Sequence, residues 1–433
     1  MIRFTNSDRI PVITAMGVAA PGALDAETMW SHIQSGKSII AKNKRIDTSE
    51  TGCAIGGEVP PFELSFIPAE MKPKRMARHT QLLLWAGRQI KAEVEKLAVQ
   101  PTIKVGLGTS CLSMISESGF QRAKGGATAA SRYVISQCSP QAAAGALAQY
   151  LKTSANVLAV STACAAGVDC LGLAAEDIIT GKSEAIVAGG ADCAIGVTPL
   201  AEYVNCGLSS LRNNDPERAS RPFDVFADSG VCSEGAGVFL VEEKGAAVRR
   251  GATILAEIAG YGSCLDPDKT VPGSGWLECM RMALASAGMT PDMLDSISAW
   301  GPGHPVLDRV EAQILTAMLG PGASHVPIYS IKGVIGNPMA ASGPLQVAAA
   351  IFSMRDGVVP PTANLDVPIP EAALDLVRGK VRFCLPENVL LNSHGVAGAN
   401  ATLILRAPAS MPELYPKKHF PLRFQKLETL LSV

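Results

Sequence analysis

The residue best placed by sequence for covalent chemistry is Cys164, within "AVSTACAAGVDCLG" at residues 159–172. The run "NVLAVST" reads as a strand that stops at this cysteine, and "VDCLGLAAEDIITG" reads as the helix that follows. A thiol at the first turn of a helix faces unpaired N–H groups and the positive end of the helix dipole. Both favour thiolate and lower the pKa below the free value of about 8.5. The residue's own N–H is also placed to meet a developing oxyanion. Ala163, Ala165, Ala166 and Gly167 leave space for a thioester chain to approach. The competing reading is an inert, buried thiol at a tight strand–helix junction.

The elements that must hold this turn alternate along the chain. "RIPVITAMG", "IKVGLGTS", "NVLAVST" and "EAIVAGGAD" read as strands; "AETMWSHIQSG", "RHTQLLLWAGRQIKAEVEKL" and "SPQAAAGALAQYL" read as helices between them. The second half repeats the theme with helices at "GWLECMRMALASAG", "RVEAQILTAML" and "GPLQVAAAIFSMRDG". Its strands are "SISAWG", "VPIYSIKG", "VLLNSHG" and "ATLILRA". Such alternation predicts α/β layers with mostly parallel strands, and near-continuous apolar runs predict strands covered on both faces. Each half ends in two β-type segments behind a Gly-rich turn. Two similar halves are expected, at residues 1–255 and 256–406, followed by a Pro-rich, basic-aromatic tail at 407–433.

Bulk properties exclude several classes. A net charge of -1 gives no footprint for nucleic acid. No apolar run of about 18 residues is present for a membrane-spanning helix, and the first residues lack the pattern of a signal peptide. Eleven cysteines without CxxC pairs or metal-type spacing argue against zinc, and read as free thiols of a reducing cytoplasm.

"STACAAGVDCLGLAAEDIITGKSEAIVAGGAD" resembles the nucleophile segment of the elongating β-ketoacyl-acyl-carrier-protein synthases. "SRPFD", "DSGVCSEGAGVFLVEE", "YSIKGVIGN", "VPPTANLD" and "NSHGVAGANATLIL" follow in the family's order and spacing, across residues 8–406. The resemblance implies a thiolase-like αβαβα fold and a Cys that accepts an acyl chain from acyl carrier protein. It implies no cofactor beyond the phosphopantetheine that carries the substrate. It also implies a homodimer, or a heterodimer with another ketosynthase. An acidic carrier protein would want a basic patch, for which Arg75, Arg78, Lys72 and Lys74 are weak candidates.

The family pairs its Cys with two His, which polarise the malonyl thioester and assist decarboxylation. Here "SAWGPGHP" places Trp300 at the first and "SIKGVIGNPMAASG" places Asn337 at the second. Asn337 still offers an amide N–H to an enolate or carbonyl oxygen, and "GNPMAAS" resembles the chain-initiating synthases, which use Cys, His and Asn. Trp300 has one N–H donor and no acceptor, and fills space where malonate should sit. His304 and His394 are the two histidines within matched motifs, His394 standing for an aromatic of the family's "NSFGFGG". His32, His79, His325 and His419 are expected at the surface. Lys332 matches a family Lys near the active site, and Asp308 and Glu311 match acidic positions, with a purely structural role as the alternative. The "GVAG" turn should supply Val396 N–H as a second oxyanion donor, and Gly395, His394 and Trp300 are expected to contact substrate; Val396 replaces a gating Phe.

Two functions follow. One is a ketosynthase-like acyltransferase of fatty acid or polyketide biosynthesis that loads Cys164 but decarboxylates malonyl groups poorly or not at all. A rearranged Cys164–His304–Asn337 set that condenses is a variant of it. The other is a non-catalytic partner like the family's chain-length factors, although those typically lose the Cys. A CoA-dependent thiolase would want a second Cys in "NSHGVAGAN", which has none.

Overall fold

The structure, a computed structural model, describes residues 2–108, 110–126, 128, 129, 131–154, 156–268 and 270–409. The expected tail therefore lies almost wholly outside the described residues.

Eleven strands form the main sheet. The first half supplies β1 (Pro11–Ala19), β2 (Thr102–Leu107), β3 (Val157–Val160), β4 (Ala185–Cys193) and β5 (Glu234–Glu243). The second supplies β6 (Ala256–Leu265), β7 (Ser296–Ser298), β8 (Pro327–Tyr329), β9 (Asp375–Leu376), β10 (Asn388–Gly395) and β11 (Ala399–Arg406). Their order is β9-β8-β7-β10-β11-β6-β1-β5-β4-β2-β3. Counted outward from β1 and from β6, the halves have one topology, with β9 added at the far edge. Directions agree too. β1–β5 and β5–β4 are antiparallel, whereas β4–β2 and β2–β3 are parallel. In the second half β6–β11 and β11–β10 are antiparallel, and β10–β7 and β7–β8 parallel. The halves join where Val12 and Ile13 of β1 pair with Glu257 and Ala256 of β6.

The sheet is therefore mixed, which corrects the expectation of mostly parallel strands. Burial on both faces writes the same continuous apolar run into a strand of either direction, so the sequence could not separate them.

Among the described residues, the helices that build the layers include α1 (Ala26–Ser35), α2 (Arg78–Val94), α3 (Pro140–Leu151), α4 (Ala166–Ile179), α5 (Trp276–Ala287), α6 (Pro305–Leu319) and α7 (Ser342–Asp356). Alternate residues of a strand serve different cores. Val187 of β4 joins the outer core with Leu83 of α2 and Leu147 of α3, while Ile186 joins the central core with Leu171 of α4 and Val347 of α7. Ile297 of β7 and Ile404 of β11 join the other outer core, with Met280 of α5 and Leu315 of α6. The result is the αβαβα arrangement of a thiolase-like fold.

Of the two central helices, α7 is buried continuously from Ser342 to Met354, whereas α4 keeps a half-buried edge at Leu173, Glu176 and Asp177. An amphipathic pattern would be wrong for α7, and its sequence has none. Leu345→Ala, in this dry layer, costs about 2–5 kcal/mol. Close approach of α4 to the sheet needs Gly106 on β2, where an added Cβ would stand 2.4 Å from the Ala166 carbonyl carbon. That contact seats the turn carrying Cys164.

Candidate active site

Cys164 lies in a 3-10 turn, Ala163–Ala165, between β3 and α4. Ala163 holds a left-handed backbone with φ 51°, as does Met339 with φ 49°. Both flank the sulfur: Cys164 Sγ is 3.8 Å from Met339 Sδ. Strained non-glycine backbone of this kind costs about 1–3 kcal/mol and persists where surrounding structure enforces it. The enforcement is visible. Thr162 Oγ1 and Tyr261 Oη both donate to Asp169 on α4. Ser393 Oγ on β10 donates to the Cys164 carbonyl at 3.1 Å. A Cβ on Gly395 would come within 2.7 Å of the Thr162 oxygen and 3.1 Å of Cys164 N. Gly395, expected to contact substrate, instead backs the nucleophile turn.

The expected low thiol pKa is not found. Burial pushes the Cys164 thiol up to about 12, and the Asp192 carboxylate pushes the same way. Lys332 and the amides of Cys164 and Val396 pull it down without winning. At 3% exposure, desolvation of a thiolate outweighs what the turn's N–H groups give back. Those two amides are nevertheless directed at the sulfur.

A cavity of about 580 Å³ reaches Cys164. Its lining brings together Cys164, Asn337, Trp300, His304, His394 and Val396. Ser342 Oγ donates to Asn337 Oδ1 at 2.9 Å, which fixes the amide and leaves its NH2 for another partner. Asn337 is itself held by main-chain bonds to Val231 and Ser233.

Trp300 is 5% exposed and pinned on every side. Its main-chain N–H and that of Gly301 donate to the two oxygens of Glu311 at 2.8 and 2.7 Å, and Asn392 Nδ2 donates to the same carboxylate. Lys332 Nζ donates to the Trp300 carbonyl. Asp308 accepts from Phe223 N and Gly303 N at 2.7 and 3.2 Å. Burial lifts Asp308 to about 8 and lifts Glu311, while it depresses Lys332 to about 8. For the acidic pair, the structural alternative is the one observed: they position the Trp300 loop.

His304 caps α6, its Nδ1 accepting from Val306 N at 3.2 Å and Leu307 N at 3.5 Å. Burial lowers its pKa, so the ring is neutral with its proton on Nε2. His394 is buried, and its Nδ1 lies 2.8 Å from Asn400 Oδ1. Its ring packs against Trp276 at 5.1 Å and edge-on to Trp300 at 5.4 Å.

Other expected positions fall elsewhere. His79 is buried in α2, not at the surface, because the helix turns that position into the outer core. His32 is partly buried, with Nε2 3.2 Å from Gly22 O; His325 is exposed. His419 lies outside the described residues. Arg78 is bound to the buried Glu234 at 2.9 Å, and Arg45 shares that carboxylate, so Arg78 is no free basic group. Lys72, Lys74 and Arg75 are exposed. Sequence reasoning missed Met339, Asp192 and the Asn400–Asp266 pair. Met339 lies in the quoted "GNPMAAS" and Asp192 closes "EAIVAGGAD", but only the fold brings Met339 against the sulfur and the Asp192 charge within its influence. Among the described residues no His, Cys, Asp and Glu cluster suits a metal ion. None of their helices is long and apolar enough to cross a membrane.

Comparison with known proteins agrees with this architecture. The family profile described as "Beta-ketoacyl synthase, N-terminal domain" matches residues 9–247. The one described as "Beta-ketoacyl synthase, C-terminal domain" matches residues 255–366. The 3-oxoacyl-[acyl-carrier-protein] synthase 2 of Synechocystis is 30% identical over 91% of this chain and 97% of its own. The tetracenomycin polyketide synthase ketoacyl synthase alpha subunit of Streptomyces glaucescens is 30% identical over 93% and 98%. Among solved structures, the ishigamide ketosynthase/chain length factor superposes with a TM-score of 0.84 at 26% identity, covering 93% of this chain and 100% of that one. A type II polyketide acyl-carrier protein in complex with its ketosynthase gives 0.82 at 25% identity, over 92% and 100%. The chain belongs to the beta-ketoacyl synthase family, with tryptophan and asparagine where its resemblance to the elongating members led one to look for imidazoles.

Proposed function

We propose that the protein takes an acyl group from the phosphopantetheine thioester of an acyl carrier protein onto Cys164. It then passes that group to an acceptor other than a malonyl carbanion. The observation that carries this reading is the shared cavity. It joins the Cys164 sulfur, two amides directed at that sulfur and the Asn337 side chain, with Trp300 in its wall where the family resemblance puts the first imidazole.

The chemistry follows from these groups. The sulfur attacks the thioester carbonyl, and the N–H groups of Cys164 and Val396 receive the oxyanion. Loss of carbon dioxide from a malonyl thioester needs a donor poised at the enolate oxygen. Asn337 offers an amide N–H donor; Trp300 keeps a single buried indole N–H without a hydrogen-bond partner, and has no acceptor or titratable nitrogen. Substrate arrives on the carrier's own prosthetic arm, so the reading calls for no further cofactor. It calls for a homodimer, or a pair with a second ketosynthase, in the cytoplasm.

One observation favours a second reading. Trp300 locked by Glu311 and Lys332 suits a subunit that has abandoned condensation, as a chain-length-factor-like partner would. The intact, cavity-lining Cys164 is the argument against it.

Two assays on one preparation test the proposal. Label from an acyl-carrier thioester should move to the protein, while carbon dioxide release from malonyl-carrier protein stays at background. Decarboxylation without acyl uptake would overturn it, and neither activity would favour the partner subunit.

A further inference from the structure

We propose that His394 is the base that removes the Cys164 proton, with Asn400 and Asp266 as its positioning residues. This rests on the acyl-transfer reading and adds the group that reading lacks.

Hydrogen-bond direction fixes the tautomer. Asn400 Nδ2 donates to Asp266 Oδ1 at 2.8 Å and to Gly398 O at 3.1 Å. Its Oδ1 is therefore the acceptor that faces His394 Nδ1 at 2.8 Å. In the neutral ring this puts the proton on Nδ1 and the lone pair on Nε2. Asp266 is anchored in turn by the amides of Gly273 and Gly275 at 2.8 and 2.9 Å. The chain imidazole–carboxamide–carboxylate is the orienting device a general base needs. His304 is built the opposite way: its Nδ1 is occupied by the α6 amides, so its Nε2 bears the proton and cannot accept another.

Position agrees with role. His394 and Cys164 line one cavity. Ser393 and Gly395 seat this end of β10 against the nucleophile turn, Ser393 through the Cys164 carbonyl and Gly395 through Thr162 and Cys164 N, while His394 enters the cavity from the strand's other face beside Trp276 and Trp300. A thiol this deeply buried stays protonated at rest, so a base must act as the sulfur attacks. The imidazolium formed faces the rings of Trp276 and Trp300, which favour a cation beside them.

The step balances. The Sγ proton passes to His394 Nε2 as the bond from Sγ to the acyl carbon forms. The tetrahedral intermediate collapses with cleavage of the carbon–sulfur bond to pantetheine. The departing thiolate takes the proton back from Nε2, leaving acyl-Cys164, free carrier thiol and neutral His394.

The test uses the full chain, hexanoyl-pantetheine as acyl donor and iodoacetamide as a second probe of Cys164, both read by mass. His394→Phe should slow acylation about 100-fold or more, in the range typical of a lost general base. Asn400→Leu should slow it about tenfold. Added imidazole should restore His394→Ala towards wild type, which a merely structural role would not allow. Folded His394→Phe acylating at the wild-type rate would overturn the proposal while leaving acyl transfer intact. No acylation of wild type, with alkylation still slowed by His394→Phe, would overturn acyl transfer and keep the Cys164–His394 pairing. Were His394→Phe to unfold, Asn400→Leu and the imidazole rescue decide: a wild-type rate in the first with no rescue in the second overturns the proposal.

Discussion

The ammonium of Lys332 donates to the carbonyl of Trp300 and also lies 5.3 Å from the centre of that residue's own indole. One buried cation thus holds both the backbone and the ring of Trp300. Glu311 completes the clamp from the other side through the amides of Trp300 and Gly301. Glu311→Gln would turn an NH2 towards N–H donors and leave Lys332 short of a counter-charge. We expect a loss of about 2–4 kcal/mol in denaturant unfolding. A change below about 0.5 kcal/mol would show that the clamp does not bind as described.

Introducing an imidazole tests whether Trp300 accounts for the proposed lack of decarboxylation. Trp300→His places a smaller ring with donor and acceptor nitrogens in the cavity wall. Carbon dioxide release from malonyl-carrier protein should rise at least tenfold over wild type. No rise, with the fold intact by circular dichroism, would locate the block elsewhere.

Burial holds the Cys164 thiol protonated, and a raised pKa means thiolate appears only as pH climbs towards about 12. The difference in thiolate absorbance between wild type and Cys164→Ala should show no step below pH 9. A step near pH 7 would mean that the turn's N–H groups outweigh desolvation.

His79 provides a stability test remote from the cavity. Burial lowers it from 6.5 to about 4, and its Nε2 has no hydrogen-bond partner. The unfolded chain therefore binds the proton first as pH falls. Stability is complete above about pH 6.5 and is lost down to about pH 4. The shift corresponds to about 3 kcal/mol over that window. His79→Leu should flatten that part of the stability profile; an unchanged slope in urea titrations at pH 7, 6 and 5 would refute the assignment.

The sequence carried the fold well where chemistry and period coincide. Gly36 ends α1 with a left-handed φ of 64°, as its place after "SHIQS" suggests, and the strand–turn–helix around Cys164 is where the pattern put it. Strand direction was not legible, because Val187 and Ile186 are both apolar whichever way their neighbours run. The helix Ser110–Gly125 escaped for want of a sustained apolar stripe. At the site, Cys164, Asn337, Trp300 and His394 were legible by motif position. The pKa of Cys164 was not: it depends on how much water the fold removes and on Asp192, which approaches from another strand. Gly395 was misread for a similar reason, since its lack of a side chain serves packing against Thr162 and Cys164 N.

The most direct measurement is intact and peptide-mapped mass after incubation of the full chain with an acyl-carrier thioester, beside Cys164→Ala. The account predicts one acyl group, confined to the peptide bearing Cys164 and absent from the variant. Full-length protein that keeps its unmodified mass, or label spread equally over wild type and variant, would contradict it.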